Sequence, residues 1–162
     1  MKKQYFAATT QKLLYTLWGI FFLAFSVFSG YATFVSWFSN ALDSSYRITS
    51  PLFFLISLYW VFRCFYRGYR ESIILSEKGI EYNSFGYVVG VKWESMKRLG
   101  FRWDDNYRST GVFASEYSVT KKIWSPNMFK EVFIPLSKFS NNWRDSDLGQ
   151  QIKQHAPHLF EE

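Results

Sequence analysis

The chain of 162 residues has a single cysteine, Cys64, and little of what enzymes use to build recognisable active sites. One cysteine excludes an intrachain disulfide, and no CxxC pair is present for metal or redox chemistry. The sequence also lacks a glycine-rich phosphate loop and the GxSxG and HExxH motifs of hydrolases and metalloproteases. It therefore predicts no catalytic residue, no metal site and no cofactor, and it favours a protein that is not an enzyme.

Charge is missing from one long stretch near the start of the chain. Residues 13–42 carry no charged side chain and are rich in Phe, Leu and Trp. A helix of this length reaches roughly 45 Å, enough to cross a hydrocarbon core of about 30 Å. A cleaved signal peptide, the competing interpretation, has a far shorter apolar segment. The pattern predicts a transmembrane helix over about residues 13–38.

A second apolar run follows after a short polar connection. Residues 48–62 are uncharged, and Pro51 suits the first turn of a helix, where its missing N–H costs no hydrogen bond. This run gives only about 22 Å of helix, which is short for a span. Arg63 can extend its guanidinium toward the headgroups, which lengthens the usable stretch to Tyr66. A second span over about residues 48–66 completes a transmembrane helical hairpin within residues 1–70.

The basic residues concentrate around this hairpin. The whole formal charge of +6 arises within residues 1–70, because residues 71–162 hold equal numbers of basic and acidic side chains. Aromatic residues interleave with arginines between Tyr59 and Arg70, as in an interfacial belt, so the bilayer replaces nucleic acid as the explanation of this stripe. The positive-inside rule places both termini in the cytoplasm. Contact with the membrane interface and anionic lipid is predicted for Lys2, Lys3, Lys12, Arg63, Arg67 and Arg70.

Small residues recur on one face of the first helix. Spacings of seven, four and three residues align Gly19, Ser26, Gly30 and Thr33. Such a face lets another helix backbone approach closely. It suits packing inside the hairpin and packing between two copies of the chain equally well.

After Arg70 the sequence changes to short alternating segments typical of β-strands. SIILS and IEYNSF flank a tight turn at Gly79, and GYVVGVKW follows as a third strand. A polar loop precedes VFASEYSVTKKIW, and Pro135 closes the strand FKEVFIPL. Antiparallel strands joined by hairpins at this spacing predict a sheet that curls or closes into a small barrel.

The last segment has a helical pattern. Asp145 or Ser146 offers an N-cap, Leu148 and Ile152 share one face, and the helix is expected to stop before Pro157. Such a helix would cover an open end or face of the barrel. The predicted fold class is therefore α+β, with a transmembrane helical hairpin over residues 1–70 and a cytoplasmic β domain over residues 71–162.

The β segment resembles the bacterial pleckstrin-homology-like (PH-like) domains. The matching residues are Ile74-Leu75-Ser76, Gly79-Ile80 and Trp93-Glu94-Ser95-Met96. Many members of that family follow two transmembrane helices and end in a helix. The resemblance covers most of residues 10–160 and implies a seven-stranded bent sandwich at the cytoplasmic face of a bacterial inner membrane. It implies no particular ligand, because this fold binds lipid, peptide and protein alike.

Other polar residues are weak candidates for chemistry. Asp104 and Asp105 are adjacent, which is more typical of a turn than of an acid–base pair. His155 and His158 have no further ligands nearby in the sequence, and Cys64 has no histidine partner. None of them is predicted to be a functional site.

Three functions remain open: a membrane-anchored adaptor for protein partners, an accessory or assembly subunit of a larger membrane complex, and a lipid-headgroup sensor or lipid-acting enzyme. The expected partners are membrane lipid and either another protein or a second copy of the chain, and nucleic acid is not expected. Aromatic residues near the long loop are either a partner surface or core residues. The candidate partner surface comprises Trp103, Tyr107, Arg108, Phe113 and Trp124.

Overall fold

The computed structural model describes residues 2–38, 45–104, 107–122 and 131–161. The chain divides into two compact units. The helical hairpin comprises Lys12–Gly68, and the β unit comprises Met1–Gln11 together with Tyr69–Glu162. The β unit thus contains residues that precede the hairpin in the sequence and residues that follow it.

The hairpin consists of α1 (Thr9–Phe38) and α2 (Tyr46–Tyr69), each long and apolar enough to span a membrane. Only 22% of the most apolar stretch of each helix is buried. The buried side chains are mostly small, whereas the exposed ones include Leu17, Phe21, Val27, Phe28, Phe34 and Phe62. Core helices of water-soluble proteins have the opposite distribution.

Two glycines of α1 bring the helices of the hairpin together. A side-chain carbon built at Gly30 would lie 3.3 Å from the ring of Phe54, and one at Gly19 would lie 3.1 Å from the ring of Phe65. Each glycine therefore leaves room for an aromatic ring of α2. Close approach at small residues is the usual way in which apolar helices associate.

Serine hydroxyls supply the polar contacts of the same interface. Ser26 donates to the hydroxyl of Ser57 across the two helices at 2.8 Å. Thr33 instead donates to the backbone carbonyl of Ser29 in its own helix at 2.8 Å. Three of the four aligned small residues thus contact α2 directly, and the described contact of Thr33 lies within α1.

The β unit contains two antiparallel sheets in its described part. The larger sheet has the order β1 (Lys3–Phe6), β2 (Ser72–Ser76), β3 (Gly79–Ser84), β4 (Tyr87–Lys92) and β7 (Ser118–Lys122). The smaller sheet has the order β5 (Met96–Asp104), β6 (Tyr107–Ala114) and β8 (Val132–Pro135). A 3-10 turn, Trp93–Ser95, joins β4 to β5.

Both sheets bury one face in a common core. Ile73, Tyr82 and Val89 lie side by side in the larger sheet, and Val112 and Ile134 pair in the smaller one. These side chains alternate with outward-facing ones, as the period of two in a strand requires. The common core confirms the predicted α+β class with antiparallel sheets.

The turn between β2 and β3 depends on Gly79. A side-chain carbon at this position would lie 2.0 Å from the carbonyl oxygen of Val91, which no residue with a side chain can accommodate. Glycine lets β3 start close against β4 immediately after the turn. The predicted turn at Gly79 is confirmed.

The C-terminal helix, α3 (Asp147–His155), is also confirmed. Ser146 is its N-cap, and its hydroxyl accepts a hydrogen bond from the N–H of Gly149 at 3.5 Å. Leu148 and Ile152 are buried in the common core. A second 3-10 turn, Pro157–Leu159, follows the helix.

Two features differ from the sequence-based expectation. Lys3–Phe6, expected within the hairpin segment, forms edge strand β1 and pairs antiparallel with β2, with Lys3 opposite Leu75. Four residues are too few for a strand pattern to show in the sequence. In the described residues, moreover, the strands form two sheets rather than one closed barrel. The seven-stranded PH-like sandwich therefore stays a prediction.

Strand β1 is fastened to the start of α3. Lys3 Nζ lies 2.9 Å from the Asp147 carboxylate, and the Tyr5 hydroxyl donates to the same carboxylate. The hydrogen bonds from Tyr5 and Lys3 hold the pKa of the Asp147 carboxyl below its usual value. Burial, together with the bond to Asp147, raises the pKa of the Tyr5 hydroxyl. This contact joins the chain before α1 to the C-terminal helix.

Replacing Asp147 by Asn should flatten the acid limb of the stability curve. The folded pKa of Asp147 lies below its unfolded value of about 3.9, so the carboxylate stabilises the fold above that pH and less as the pH falls through the folded pKa. As the pH is lowered from about 5 to about 2, we expect the midpoint temperature of unfolding of the full chain in detergent to decrease. The decrease should be smaller in Asp147→Asn. The control is Asp145→Asn, because that carboxylate accepts from Asn142 instead. Equal acid limbs in Asp147→Asn and the wild type would contradict the assignment.

Replacing Gly30 by Leu should weaken the hairpin. The added side chain has to displace the ring of Phe54, and overpacking of this kind costs about 1–3 kcal/mol. Unfolding in mixed detergent micelles, followed by circular dichroism, measures the change. Phe28→Leu is the matched control, because Phe28 is exposed and its replacement should cost less than about 0.5 kcal/mol. Equal stability of the two variants would exclude close packing at Gly30.

Candidate functional site

The β unit has two ends that carry different features. At the root end, Ala8 leads into α1 and Glu71 follows α2, so both connections to the hairpin leave from this end. At the distal end lie the turn at residues 77–78 and the 3-10 turn Trp93–Ser95. Strand β1 runs from the distal end to the root end, and β2 runs back beside it.

A buried ion pair lies at the root end. The ammonium of Lys138 contacts the carboxylate of Glu71, and neither side chain has exposed surface. The hydroxyl of Tyr82 donates to the same carboxylate, and that of Ser84 donates at 2.9 Å. Together these partners supply the charge and hydrogen bonds that a carboxylate needs in a water-free core.

The backbone around Lys138 also holds the connection into α1. The N–H of Ala8 donates to the carbonyl of Lys138 at 3.0 Å. The hydroxyl of Thr10 donates to the side-chain carbonyl of Asn141 at 2.9 Å. Residues 138–141 are therefore bonded to Ala8 just before α1 and to the first turn of α1, and through Lys138 to the chain after α2.

The sequence contains part of the signal for this ion pair. Glu71, Ile73 and Leu75 alternate, so the period of two puts the carboxylate on the same face as two core residues. A carboxylate on a buried face requires a cationic or hydrogen-bonding partner. Lys138 itself gives no comparable signal, because it lies in a turn without periodicity.

A polar cleft of about 770 Å³ opens at the distal end. Its floor is the outer face of the five-stranded sheet, where the register places Ile74, Glu81, Gly90 and Ser118 in one row. Gly90 has no side chain in this row, and the Ser118 hydroxyl lies close beside it, because a side-chain carbon at Gly90 would lie 2.9 Å from that oxygen. A larger residue at position 90 would therefore crowd Ser118 and extend into the cleft.

Charges of both signs line the cleft. Its charged residues are Lys2, Lys78, Lys92, Glu77, Glu81 and Glu116. Ammonium and carboxylate groups in equal number suit a polypeptide segment that carries both charges better than a simple anion or cation. Tyr117 and Ser118 also line the cleft, and β7 is an edge strand of its sheet in the described residues. An edge strand offers backbone groups for pairing with an added strand.

The tip of the β5–β6 hairpin exposes aromatic side chains. Trp103 lies directly opposite Arg108, and Phe101 precedes Trp103 on the same face. The Arg108 guanidinium lies 3.6 Å from the centroid of the Phe101 ring. Trp103 is 69% exposed and Phe101 is 54% exposed, so neither is a core residue.

The structure brings together only part of the predicted partner surface. Trp103 and Arg108 are neighbours, but Phe113 lies on the opposite face of the smaller sheet. Strand alternation causes this separation, because Phe113 is an odd number of residues from Arg108. The side chain of Tyr107 and the whole of Trp124 lie outside the described residues.

The predicted membrane-contact residues separate into two groups. Lys3 is bonded to Asp147, and Lys2 lines the distal cleft. The others belong to the helices or directly follow them: Lys12, Arg63, Arg67 and Arg70. Among these, Arg63 lies 4.7 Å from the centroid of the Trp60 ring, Arg67 is buried and Arg70 is exposed.

The weak candidates for chemistry lie in different parts of the chain, and one of them, His155, adjoins the distal end. His155 stacks on Trp93 at 4.8 Å between ring centroids, and a ring nitrogen of His158 lies 2.9 Å from the carbonyl oxygen of Met96. Cys64 is buried in the hairpin, and the Asp104 side chain and Asp105 lie outside the described residues. Among the residues that the structure describes, no three His, Cys, Asp or Glu side chains form a metal-binding group.

Replacing Lys138 by Met should strongly destabilise the β unit. Removing one partner of a buried ion pair leaves an uncompensated charge and costs about 3–5 kcal/mol. Chemical denaturation of the full chain in detergent, followed by near-UV circular dichroism, measures the loss. Lys97→Met is the control, since the exposed pair Lys97–Glu131 should contribute no more than about 1 kcal/mol. The double variant Glu71→Leu/Lys138→Met should recover part of the loss, and a cost as small as that of the control would contradict the ion pair.

Comparison with known proteins does not add to this geometry. No model of a protein family, no curated protein and no solved structure matches the chain. The PH-like resemblance noted in the sequence stays a prediction. The function therefore has to be inferred from the hairpin and the two ends of the β unit.

Proposed function

We propose that the chain is a non-enzymatic, membrane-anchored adaptor that presents its β unit to a protein partner. The distribution of side chains in the hairpin carries the proposal: serines and glycines are buried, while phenylalanines and leucines are exposed. Water opposes this arrangement, because it leaves a large apolar surface hydrated. Hydrocarbon favours it, because lipid tails accept apolar side chains and small residues let the helices pack.

The dimensions of the hairpin support a bilayer span. Trp18 and Trp37 are both exposed on α1, and the helical rise between them is about 28 Å. Ile48 and Tyr66 on α2 are separated by about 27 Å. A hydrocarbon core is about 30 Å thick, and Trp and Tyr concentrate at its two interfaces.

Strand pairing supports a chain that returns to the side from which it started. Lys3 lies opposite Leu75 in the β1–β2 ladder, so the chain before α1 and the chain after α2 share one side of the membrane. Two crossings satisfy this requirement, and a single crossing does not. Lys12, Arg67 and Arg70 adjoin this side, which the positive-inside rule assigns to the cytoplasm. The proposal of a bacterial inner membrane follows only from the PH-like resemblance of the sequence.

The distal cleft is the proposed binding site for the partner. Both helices leave from the root end, so the cleft lies at the end of the strands away from the membrane attachment. The partner would be a segment of protein with both signs of charge, paired along β7. The lipid-sensor alternative is less favoured here, because the three glutamates of the cleft offset its three lysines and leave no net positive charge to attract a lipid phosphate.

A photoreactive amino acid at Lys92 should crosslink to a discrete protein partner in native membranes. Lys92 is exposed and lines the cleft, so a segment bound there lies within reach of the probe. The yield of the adduct should fall at least about tenfold in Gly90→Val, because an added side chain that crowds Ser118 and occupies the floor of the cleft costs more than about 1.4 kcal/mol of binding. Immunoblotting and mass spectrometry of the adduct provide the measurement.

Gln150 provides the control for both parts of this experiment. It is exposed on α3 and lies outside the cleft and away from β7, so a probe at Gln150 should give no such adduct and Gln150→Ala should not reduce capture at Lys92. Capture at Lys92 that persists in Gly90→Val and in Lys78→Glu would contradict the cleft. Adducts formed only from a probe on the exposed helix surface, at Phe28, would favour the accessory-subunit alternative.

A further inference from the structure

The exposed aromatic tip of the β5–β6 hairpin has no role in the proposed adaptor. The large apolar side chains that are exposed in the described part of the β unit are Phe6, Tyr69, Phe101 and Trp103. Phe6 and Tyr69 flank the two helices, at positions that the proposed anchor places next to the membrane. Phe101 and Trp103, about thirty residues further along, need a separate explanation.

Hydrogen bonds place this tip at the root end. The N–H groups of Leu136 and Ser137 donate to the carbonyl of Thr110 at 2.9 and 3.0 Å. The next residue, Lys138, accepts from Ala8 at the start of the hairpin connection. Thr110 is therefore bonded to Ser137, and the neighbouring residue Lys138 is bonded to the chain that enters α1.

The tip lies a short distance beyond Thr110. Arg108 is two residues away along β6, and Trp103 lies opposite it. The Cα atoms of hydrogen-bonded residues are about 5 Å apart, and those of successive residues in a strand are about 3.4 Å apart along the strand. The path from Ala8 through Lys138 and Thr110 to Arg108 is therefore at most roughly 20 Å long. The aromatic tip therefore lies on the same end of the β unit as Ala8, the last residue before α1.

The chemistry of the tip matches the interfacial layer of a membrane. Trp is enriched at the headgroup level, where its ring is apolar and its N–H can hydrogen-bond. Arg108 covers one face of the Phe101 ring at 3.6 Å and can extend its guanidinium toward phosphate. The sequence RWDDNYR balances two arginines with two aspartates, so aromatic insertion rather than net charge drives the contact.

We propose that Phe101 and Trp103 insert into the headgroup layer of the membrane that the hairpin spans. This contact rests on the proposed membrane anchor and adds a third attachment to the two helix connections. It orients the β unit so that the root end meets the lipid and the distal cleft faces the cytoplasm. The bound surface is a lipid bilayer, not a protein.

A fluorophore that reports polarity tests the contact in the full chain. Cys64→Ala removes the native thiol. Three separate variants of that protein then carry Trp103→Cys, Ser118→Cys or Phe28→Cys, and each new thiol is labelled with the aromatic dye NBD. The variants are placed in nanodiscs of phosphatidylcholine and phosphatidylglycerol that carry nitroxide groups at the headgroup or at mid-chain. We expect headgroup nitroxides to quench the dye at position 103 at least three times more strongly than the dye at position 118. Quenching should persist in about 1 M salt, where the Debye length is about 3 Å.

The three positions separate the two proposals. Quenching at position 28 by mid-chain nitroxides reports the anchor, and its absence would overturn the proposed function itself. Quenching at position 28 with equal, weak quenching at positions 103 and 118 would overturn only the tip contact. A blue shift at position 103 without lipid quenching would assign the tip to a protein surface, such as a second copy, and would also overturn it. As a second measurement, the tryptophan emission that is lost in Trp103→Phe should be quenched by the same headgroup lipids.

Discussion

The buried carboxylate of Glu71 is the constraint on which the β unit depends. It is held by Lys138 from the turn after β8 and by Tyr82 and Ser84 from β3. A charge without exposed surface is tolerated only when such partners are in place, and they come from two distant parts of the chain. Because Ala8 is bonded to the backbone of Lys138, the same cluster also fixes the chain that enters α1. Both connections to the hairpin are thereby set by one group.

The two ends of the β unit divide the proposed work between them. The root end holds both helix connections and the aromatic tip, and its contacts are suited to attachment. The distal end holds a cleft of mixed charge beside an edge strand, which is suited to recognition. The strands of both sheets run from one end of the β unit to the other. Because the sheets share a closely packed core, the two ends keep a fixed distance and orientation without a hinge.

The sequence predicts the hairpin, most strands and the last helix because each has a strong local signal. Two uncharged apolar runs predict the helices α1 and α2. Apolar residues that recur every two positions predict the strands, and apolar residues spaced about 3.6 positions apart predict α3. The helix-packing residues Gly19, Ser26 and Gly30 follow from spacing on a single helix. Each of these features depends only on residues that are close together in the sequence.

Features that depend on distant residues are not visible in the same way. Strand β1 has only four residues, and its partner β2 lies beyond the whole hairpin. The distal cleft arises because register aligns Gly90 with Glu81 and Ser118, and register cannot be read from composition. Trp103 and Phe113 look equivalent in the sequence, yet they occupy opposite faces of one sheet.

The position of β1 imposes an order on biogenesis. This strand is synthesised before the hairpin, but its partner is made about seventy residues later, after both apolar segments have left the ribosome. In a membrane setting the ladder can close only when the second segment has brought the nascent polypeptide back to its original compartment. A product whose second segment fails to integrate would keep an unpaired edge on β2, which quality-control proteases and chaperones recognise as unfinished. For the proposed anchor, completion of the sheet would thus follow only a successful insertion of both helices.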